Sequence, residues 1–134
     1  MLQTVQTRGL LLFAHGARDP AWAQPFAAVL RHCRGLRPQQ PVALAFLEFM
    51  APNMLDAGGD LAKAGCAAVD VVPLFLGAGG HVRKDIPVLL AQLAQRHPQV
   101  QWLLRPAVGE SASVVQAMAD VALGAETGPA VDWA

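Results

Sequence analysis

Three side chains that can bind a divalent metal lie at or just after the ends of three different segments of this chain. His15 directly follows one apolar segment, Glu48 lies near the end of a second, and His81 follows a glycine-rich loop. Two imidazoles and one carboxylate suit a borderline ion such as Co²⁺, Ni²⁺, Fe²⁺ or Zn²⁺, whereas Mg²⁺ and Ca²⁺ prefer more oxygen ligands. The residue types therefore predict a transition-metal site, provided that the fold brings the three together.

Each of these residues also has an ordinary structural interpretation. A single histidine at a strand end is more often a hydrogen-bonded loop residue than a ligand, and Glu48 could cap a helix or form an ion pair. Placement of all three at one edge of a sheet is what favours a shared site. His32 and His97 lie in and at the end of predicted helices, and we interpret both as surface residues.

The elements that must position these residues alternate between strand and helix four times. The strands are short apolar runs, and the helices show apolar residues at helical spacing, the first after the start signal Asp19-Pro20. Such alternation predicts a parallel sheet covered on both faces, and right-handed crossovers favour a flavodoxin-like strand order 2-1-3-4. The predicted strands are 9–14, 41–49, 67–76 and 99–104, and the predicted helices run from about 20 to 35, 52 to 65, 82 to 96 and 110 to 123.

In that order the first strand lies between the second and the third. Neighbouring strands are about 4.8 Å apart, and ligands of such sheets bind beyond the carboxyl ends of the strands, near the point where the order reverses. We therefore expect His15, Glu48 and His81 to meet at this edge.

Glycines and basic residues fall near the same predicted edge. The loop Gly77–Gly80 lacks the Lys-Ser/Thr of a P-loop and the spacing of a dinucleotide site, so we expect it to approach a flat ligand closely or to move over one. Arg18, Arg83, Lys84 and Arg105 are either solvated charges or a rim that pairs with the carboxylates of an anionic ligand.

Length and composition restrict the class of protein. The 134 residues predict one domain, 1–124, followed by a loose tail, 125–134; 54% are hydrophobic, which argues against disorder. Ten basic side chains balance ten acidic ones, so no global charge predicts nucleic-acid binding. Cys33 and Cys66 fit no metal-finger or redox spacing. With no run long enough for a signal peptide or a membrane span, we expect a soluble cytoplasmic protein.

Three motifs resemble those of the class II tetrapyrrole chelatases, in particular the short CbiX-type sirohydrochlorin cobaltochelatases. They are H-G-A-R-D-P at 15–20, F-L-E at 46–48 and P-L-F-L-G-A-G-G-H-V-R-K-D-I-P at 73–87, and the similarity extends over about 9–123. The third motif is long and specific. The family commonly has H-G-S in the first motif, where this chain has Ala17.

The resemblance implies a chelatase-like fold and a lyase that inserts a divalent metal into sirohydrochlorin, a precursor of cobalamin and sirohaem. Co²⁺ is the favoured metal, with Fe²⁺ or Ni²⁺ as alternatives, and no organic cofactor is expected. The two histidines of the family match His15 and His81, and its acidic residue matches Glu48. The resemblance implies that these residues hold the metal or accept the pyrrole protons, without dividing the two roles among them.

The resemblance also implies how the ring is bound. Gly79 and Gly80 would approach it, and Arg18, Arg83 and Lys84 would pair with its acidic side chains. Longer class II chelatases carry two such domains facing each other across the pocket, so we expect this short chain to form a homodimer. The main alternative is a non-catalytic metal- or tetrapyrrole-binding module on the same fold. A phosphate- or flavin-binding protein is disfavoured by the missing phosphate loop.

Overall fold

Four parallel strands form a single sheet in the order β2-β1-β3-β4, which confirms the predicted 2-1-3-4 topology. The computed structural model describes residues 7–77, 79–125 and 128–131, with the backbone alone at position 81. Ala14 is aligned with Phe46, and Phe13 with Pro73, so the carboxyl ends of the three strands lie at one edge. The strands are β1 (Arg8–Ala14), β2 (Val42–Phe46), β3 (Ala68–Pro73) and β4 (Gln101–Leu104).

Helices connect the strands in the predicted alternation. Short 3₁₀ segments, Pro20–Ala23 and Val108–Glu110, precede the first and the last helix. No helix of the described ranges is long and apolar enough to cross a membrane. Of the predicted tail, the structure describes only residues 125 and 128–131. The helices are α1 (Gln24–Leu36), α2 (Met54–Lys63), α3 (Gly80–Arg96) and α4 (Ala112–Ala122).

The sheet separates two apolar clusters because alternate strand residues face opposite sides. Leu11 and Phe13 of β1 are fully buried on the side of α2 and α3, whereas Leu12 and Ala14 are buried on the side of α1. This burial on both faces explains the continuously apolar sequence of the first strand.

Several element boundaries differ from the predicted ones. The predicted start of the second helix at Pro52 is wrong: α2 begins at Met54, after the Asn53 side chain accepts a hydrogen bond from the Asp56 backbone N–H. This amide oxygen satisfies a backbone donor of the first turn, which proline cannot do. At the other end of the chain, a 3₁₀ turn delays the last helix to Ala112.

The last helix packs little against the sheet of its own chain. Among its residues none is buried, and Val115, Met118 and Val121 are each at least half exposed. On the α1 side of the sheet, Asp70 and Val72 of β3 are only half-buried. An apolar helix and part of a sheet face are therefore both left incompletely covered within one chain.

Candidate functional site

The residues that follow β1 and β2 are joined directly by backbone hydrogen bonds. The Leu47 N–H donates to the Ala14 carbonyl oxygen (2.9 Å), and the Glu48 N–H donates to the His15 carbonyl oxygen (3.1 Å). The parallel pairing thus continues past the strand ends. It fixes His15 and Glu48 side by side, as predicted from the strand order.

Gly16 makes this close approach possible. Its φ is +94°, in the region that favours glycine, and a Cβ there would collide with the Glu48 carbonyl oxygen. The two residues of the His-Gly pair in the first motif therefore depend on each other structurally. The glycine lets the chain turn away from β1 while the histidine stays beside β2.

A tight turn follows on the β2 side. The Met50 N–H donates to the Glu48 carbonyl oxygen (2.8 Å), and Phe49 between them has a φ of +66°, which is rare for a residue with a side chain. The Phe49 side chain is 58% exposed, and the Arg18 guanidinium lies 5.1 Å from the centre of its ring. No pattern in the sequence predicts this conformation, because phenylalanine is not a typical turn residue.

The side chains of His15 and Glu48 form an open imidazole–carboxylate pair. The distance from His15 Nδ1 to Glu48 Oε1 is 3.8 Å, and the two side chains are 44% and 49% exposed. Two such ligands that each bind one metal ion at about 2.1 Å must lie within about 4.2 Å of each other. The pair meets that limit without rearrangement and remains accessible to an ion from solvent.

An aromatic side chain supports the imidazole from the side of β3. The centre of the Phe75 ring lies 5.6 Å from that of His15, with the rings tilted by 49°, and 5.9 Å from that of Phe13. Phe75 is itself only 5% exposed, so its ring is held in place by the core and limits movement of the imidazole on that side. It also keeps water away from that side.

The third predicted ligand lies at the start of α3. The backbone of His81 is in the first turn of this helix, directly after Gly80, while its side chain lies outside the described residues. Among the described side chains, no group of three or more His, Cys, Asp or Glu residues can hold one metal ion. A contact of His81 with the His15–Glu48 pair therefore stays a prediction.

The glycines before and at the start of α3 are not required by contacts within the described residues. A Cβ at Gly77, Gly79 or Gly80 would meet no described atom within 4 Å, and none of these residues has a positive φ. Their predicted role, close approach to a flat ligand, is compatible with this open space.

The predicted basic residues are arranged in two ways. Arg18, Arg83 and Lys84 are exposed, as a ligand-binding rim requires. Arg105 instead donates from Nε to Asp70 Oδ1 at 2.7 Å. Sequence reasoning missed Asp70 because an acidic residue on a central strand had no recognisable partner in the sequence.

Asp70 is the centre of an ion-pair network. Arg8 donates to both of its carboxylate oxygens, at 2.7 and 2.8 Å, and Arg105 adds a third hydrogen bond. The hydrogen bond from Arg8, followed by that from Arg105, lowers the pKa of the Asp70 carboxyl, although burial opposes the shift. Asp70 is therefore a stable anion that orients Arg105.

Taken together, these features define a class: a flavodoxin-like α/β domain with an exposed imidazole–carboxylate pair where its strand order reverses. The CbiX family model matches residues 9–123. The chain belongs to the CbiX family, as the sequence motifs predicted.

Named relatives agree with this membership. The chain is 29% identical over 111 residues to a sirohydrochlorin ferrochelatase of Bacillus subtilis, a match that covers 83% of this chain and 42% of the relative. It is 35% identical over 88 residues to a sirohydrochlorin cobaltochelatase of Sulfurisphaera tokodaii, with 63% and 69% covered. The chain thus spans less than half the length of the Bacillus relative.

The solved structure of a CbiX protein from Marinobacter aquaeolei VT8 has the same fold. The two superpose with a TM-score of 0.77 at 28% sequence identity, covering 88% of this chain and 96% of the other. The likeness therefore covers nearly the whole of that solved chain.

Proposed function

We propose that this protein is a chelatase that inserts a divalent metal into sirohydrochlorin. Co²⁺ is favoured, with Fe²⁺ or Ni²⁺ as alternatives. The observation that carries the proposal is the open His15–Glu48 pair, 3.8 Å apart at the edge where the strand order reverses. The names of the cobaltochelatase and ferrochelatase relatives support the same reaction. No organic cofactor takes part in it.

Insertion exchanges two pyrrole N–H protons of the ring for one metal ion, which also sheds its bound water. His15 and Glu48 would hold the ion at the sheet edge, and each can accept a proton as the ring binds the metal. His81, one residue into α3, is proposed as the third member of this set. An imidazole must be unprotonated to perform either role.

The ring would lie against the exposed surface around this pair. Leu76 and Phe49 are 64% and 58% exposed and offer apolar contact. We assign the acidic side chains of the ring to the rim formed by Arg18, Arg83 and Lys84. The backbone at Gly79 and Gly80 is open enough for a flat molecule to approach closely.

The active unit is proposed to be a homodimer. One sheet edge can contact only one face of a broad macrocycle. The Bacillus ferrochelatase is more than twice as long as the segment that it shares with this chain, so it has room for a second domain. The exposed Val115, Met118 and Val121 of α4 offer an apolar surface that a second copy can cover.

We place the protein in the cytoplasm. Both cysteines of the chain, Cys33 and Cys66, are unpaired, which is usual in a reducing compartment. The sirohydrochlorin chelation proposed for it is a biosynthetic step, which fits this location.

The experiment that tests the reaction mixes the protein with an excess of sirohydrochlorin and Co²⁺ and follows the absorption spectrum of the ring. A chelatase converts many equivalents of ring per protein, faster than the same mixture without protein. A non-catalytic binding module would bind metal or ring at a fixed stoichiometry and leave the insertion rate at the protein-free value. That result would contradict the proposal.

A further inference from the structure

Asp85, an acidic residue of the third sequence motif, is half-buried in α3, whereas Arg83 and Lys84 directly before it are exposed. A carboxylate that is partly withdrawn from water needs a partner that offsets its lost hydration. The position of Asp85 on the helix restricts which groups of the chain can be that partner.

The backbone amides at the start of α3 do not account for Asp85. The favourable field of a helix N-terminus falls off within the first turn. The helix begins at Gly80 and its first turn contains no acidic residue, so Asp85 lies in the second turn. The partner of this carboxylate must therefore be a side chain.

Helix geometry leaves one polar neighbour for Asp85 on α3 itself. Side chains three or four residues apart face each other on a helix, whereas those one or two apart do not, which removes Arg83 and Lys84. Of the four α3 positions at the favourable spacings, only His81 has a polar side chain, and the other three are Val82, Val88 and Leu89. Asp85 and His81 thus share one face of the helix.

The buried residues of α3 show which way this face is directed. Val82 and Ile86 are 3% and 6% exposed and form a stripe against the core. Arg83 lies on one side of the stripe and lines a cavity at the end of the edge strand β4. Because successive helical residues are about 100° apart, positions 81 and 85 lie on the other side of the stripe, away from β4.

His15 lies on the side of the sheet that α3 covers. Its ring is 5.6 Å from that of Phe75, which belongs to the apolar cluster shared by α2, α3 and the sheet. In the strand order β2-β1-β3-β4, the direction away from β4 leads from β3 to β1, and His15 directly follows β1. The face of α3 with positions 81 and 85 is therefore directed towards the His15–Glu48 pair.

We propose that Asp85 is a positioning residue for His81: its carboxylate accepts a hydrogen bond from one ring nitrogen of His81 and leaves the other nitrogen to bind the metal. A carboxylate partner of this kind fixes both the orientation and the tautomer of a metal-binding imidazole. The inference rests on the proposed function, in which His81 is a ligand, and deepens it.

The test measures the Kd of Co²⁺ from its visible absorption on binding to the protein, without sirohydrochlorin. Asp85→Asn keeps the shape of the side chain but removes the charged acceptor, so we expect Co²⁺ binding to weaken by at least about tenfold, as for other lost partners of metal-binding histidines. Asp85→Glu restores a carboxylate and should recover most of the affinity. Asp60→Asn, which removes an exposed carboxylate from α2, is the matched control and keeps the wild-type Kd.

A double-mutant cycle distinguishes the positioning role from a general effect of negative charge. In a His81→Ala background, His15 and Glu48 can still bind the ion. Asp85→Asn should cause no further loss there, because the imidazole that it orients is gone. An equal loss in both backgrounds would overturn the proposal, and so would wild-type affinity in Asp85→Asn.

The same titration separates this inference from the proposed reaction. If the wild-type protein binds Co²⁺ but inserts none into sirohydrochlorin, the proposed reaction fails, and a weaker Kd of Asp85→Asn that depends on His81 still supports the role of Asp85. If insertion is catalysed but Asp85→Asn binds Co²⁺ as tightly as the wild type, the reaction stands and this inference fails. A wild-type protein that binds no Co²⁺ overturns it as well.

Discussion

His15 and Glu48 show which part of a site a sequence reveals. Both were predicted because His15 follows the first predicted strand and Glu48 lies near the end of the second, and parallel strands end at one edge. The rest of the environment depends on contacts between distant segments. The Asp70 network joins β1, β3 and the residue that follows β4 across 62 and 35 residues of sequence, and no local pattern predicts such partners.

Asp70 makes the stability of the protein depend on pH in a defined direction. Its carboxyl pKa lies below the unfolded value of about 3.9. The network therefore stabilises the folded state above about pH 4, and this contribution is lost as pH falls through the lowered folded pKa. Asp70→Asn should lower the free energy of unfolding by about 1 kcal/mol at pH 7 and by progressively less towards pH 3.

Urea unfolding at a series of pH values checks this expectation. Asp60→Asn is the control because Asp60 is exposed on α2 and forms no ion pair within the described residues. It should change stability little at any pH. A difference between wild type and Asp70→Asn that stays constant from pH 7 to pH 3 would rule out the network as its source.

Among the elements, α2 shows why sequence and structure disagree in detail. The adjacent Gly58 and Gly59 predict a weak helix, because glycine costs about 1 kcal/mol relative to alanine in a helix. The structure gives a packing reason for one of them. A Cβ on Gly58 would lie 2.5 Å from the Leu93 side chain, whereas one on Gly59 would meet only His97, at 3.7 Å.

Alanine substitutions in these two positions should therefore have opposite effects. Gly58→Ala pushes on the fully buried Leu93 and should destabilise the protein, since overpacking costs about 1–3 kcal/mol. Gly59→Ala should stabilise it by up to about 1 kcal/mol through helix propensity. Thermal unfolding of both variants measures the contrast. Equal shifts in Tm would mean that α2 and α3 do not pack as closely as described.

For the whole molecule, the fold class and strand order followed from the alternation of strands and helices, whereas the position of α4 did not. The alternation predicted a helix from about 110 to 123 that covers part of the sheet, yet Val115, Met118 and Val121 remain at least half exposed. Local periodicity shows that a helix has an apolar face but not which surface covers it. A second copy of the chain is the covering surface that we propose.

Analytical ultracentrifugation at micromolar concentration should then report twice the chain mass of 14.1 kDa. Met118→Glu places a charge on the exposed apolar surface of α4 and should shift the protein towards monomer. Val88→Glu, at a 57% exposed position on α3, is the matched control and should remain dimeric. A wild-type monomer that inserts metal at full rate would contradict the dimer without affecting the assignment of the reaction.

The central claim is that the His15–Glu48 pair delivers the metal. Its most direct test is the initial rate of Co²⁺ insertion into sirohydrochlorin by His15→Ala, compared with His32→Ala, which removes an exposed histidine on α1. Loss of a ligand or proton acceptor should reduce the rate by at least about 100-fold, while both variants keep the wild-type unfolding transition and His32→Ala keeps its rate. A near-normal insertion rate in folded His15→Ala would contradict the account.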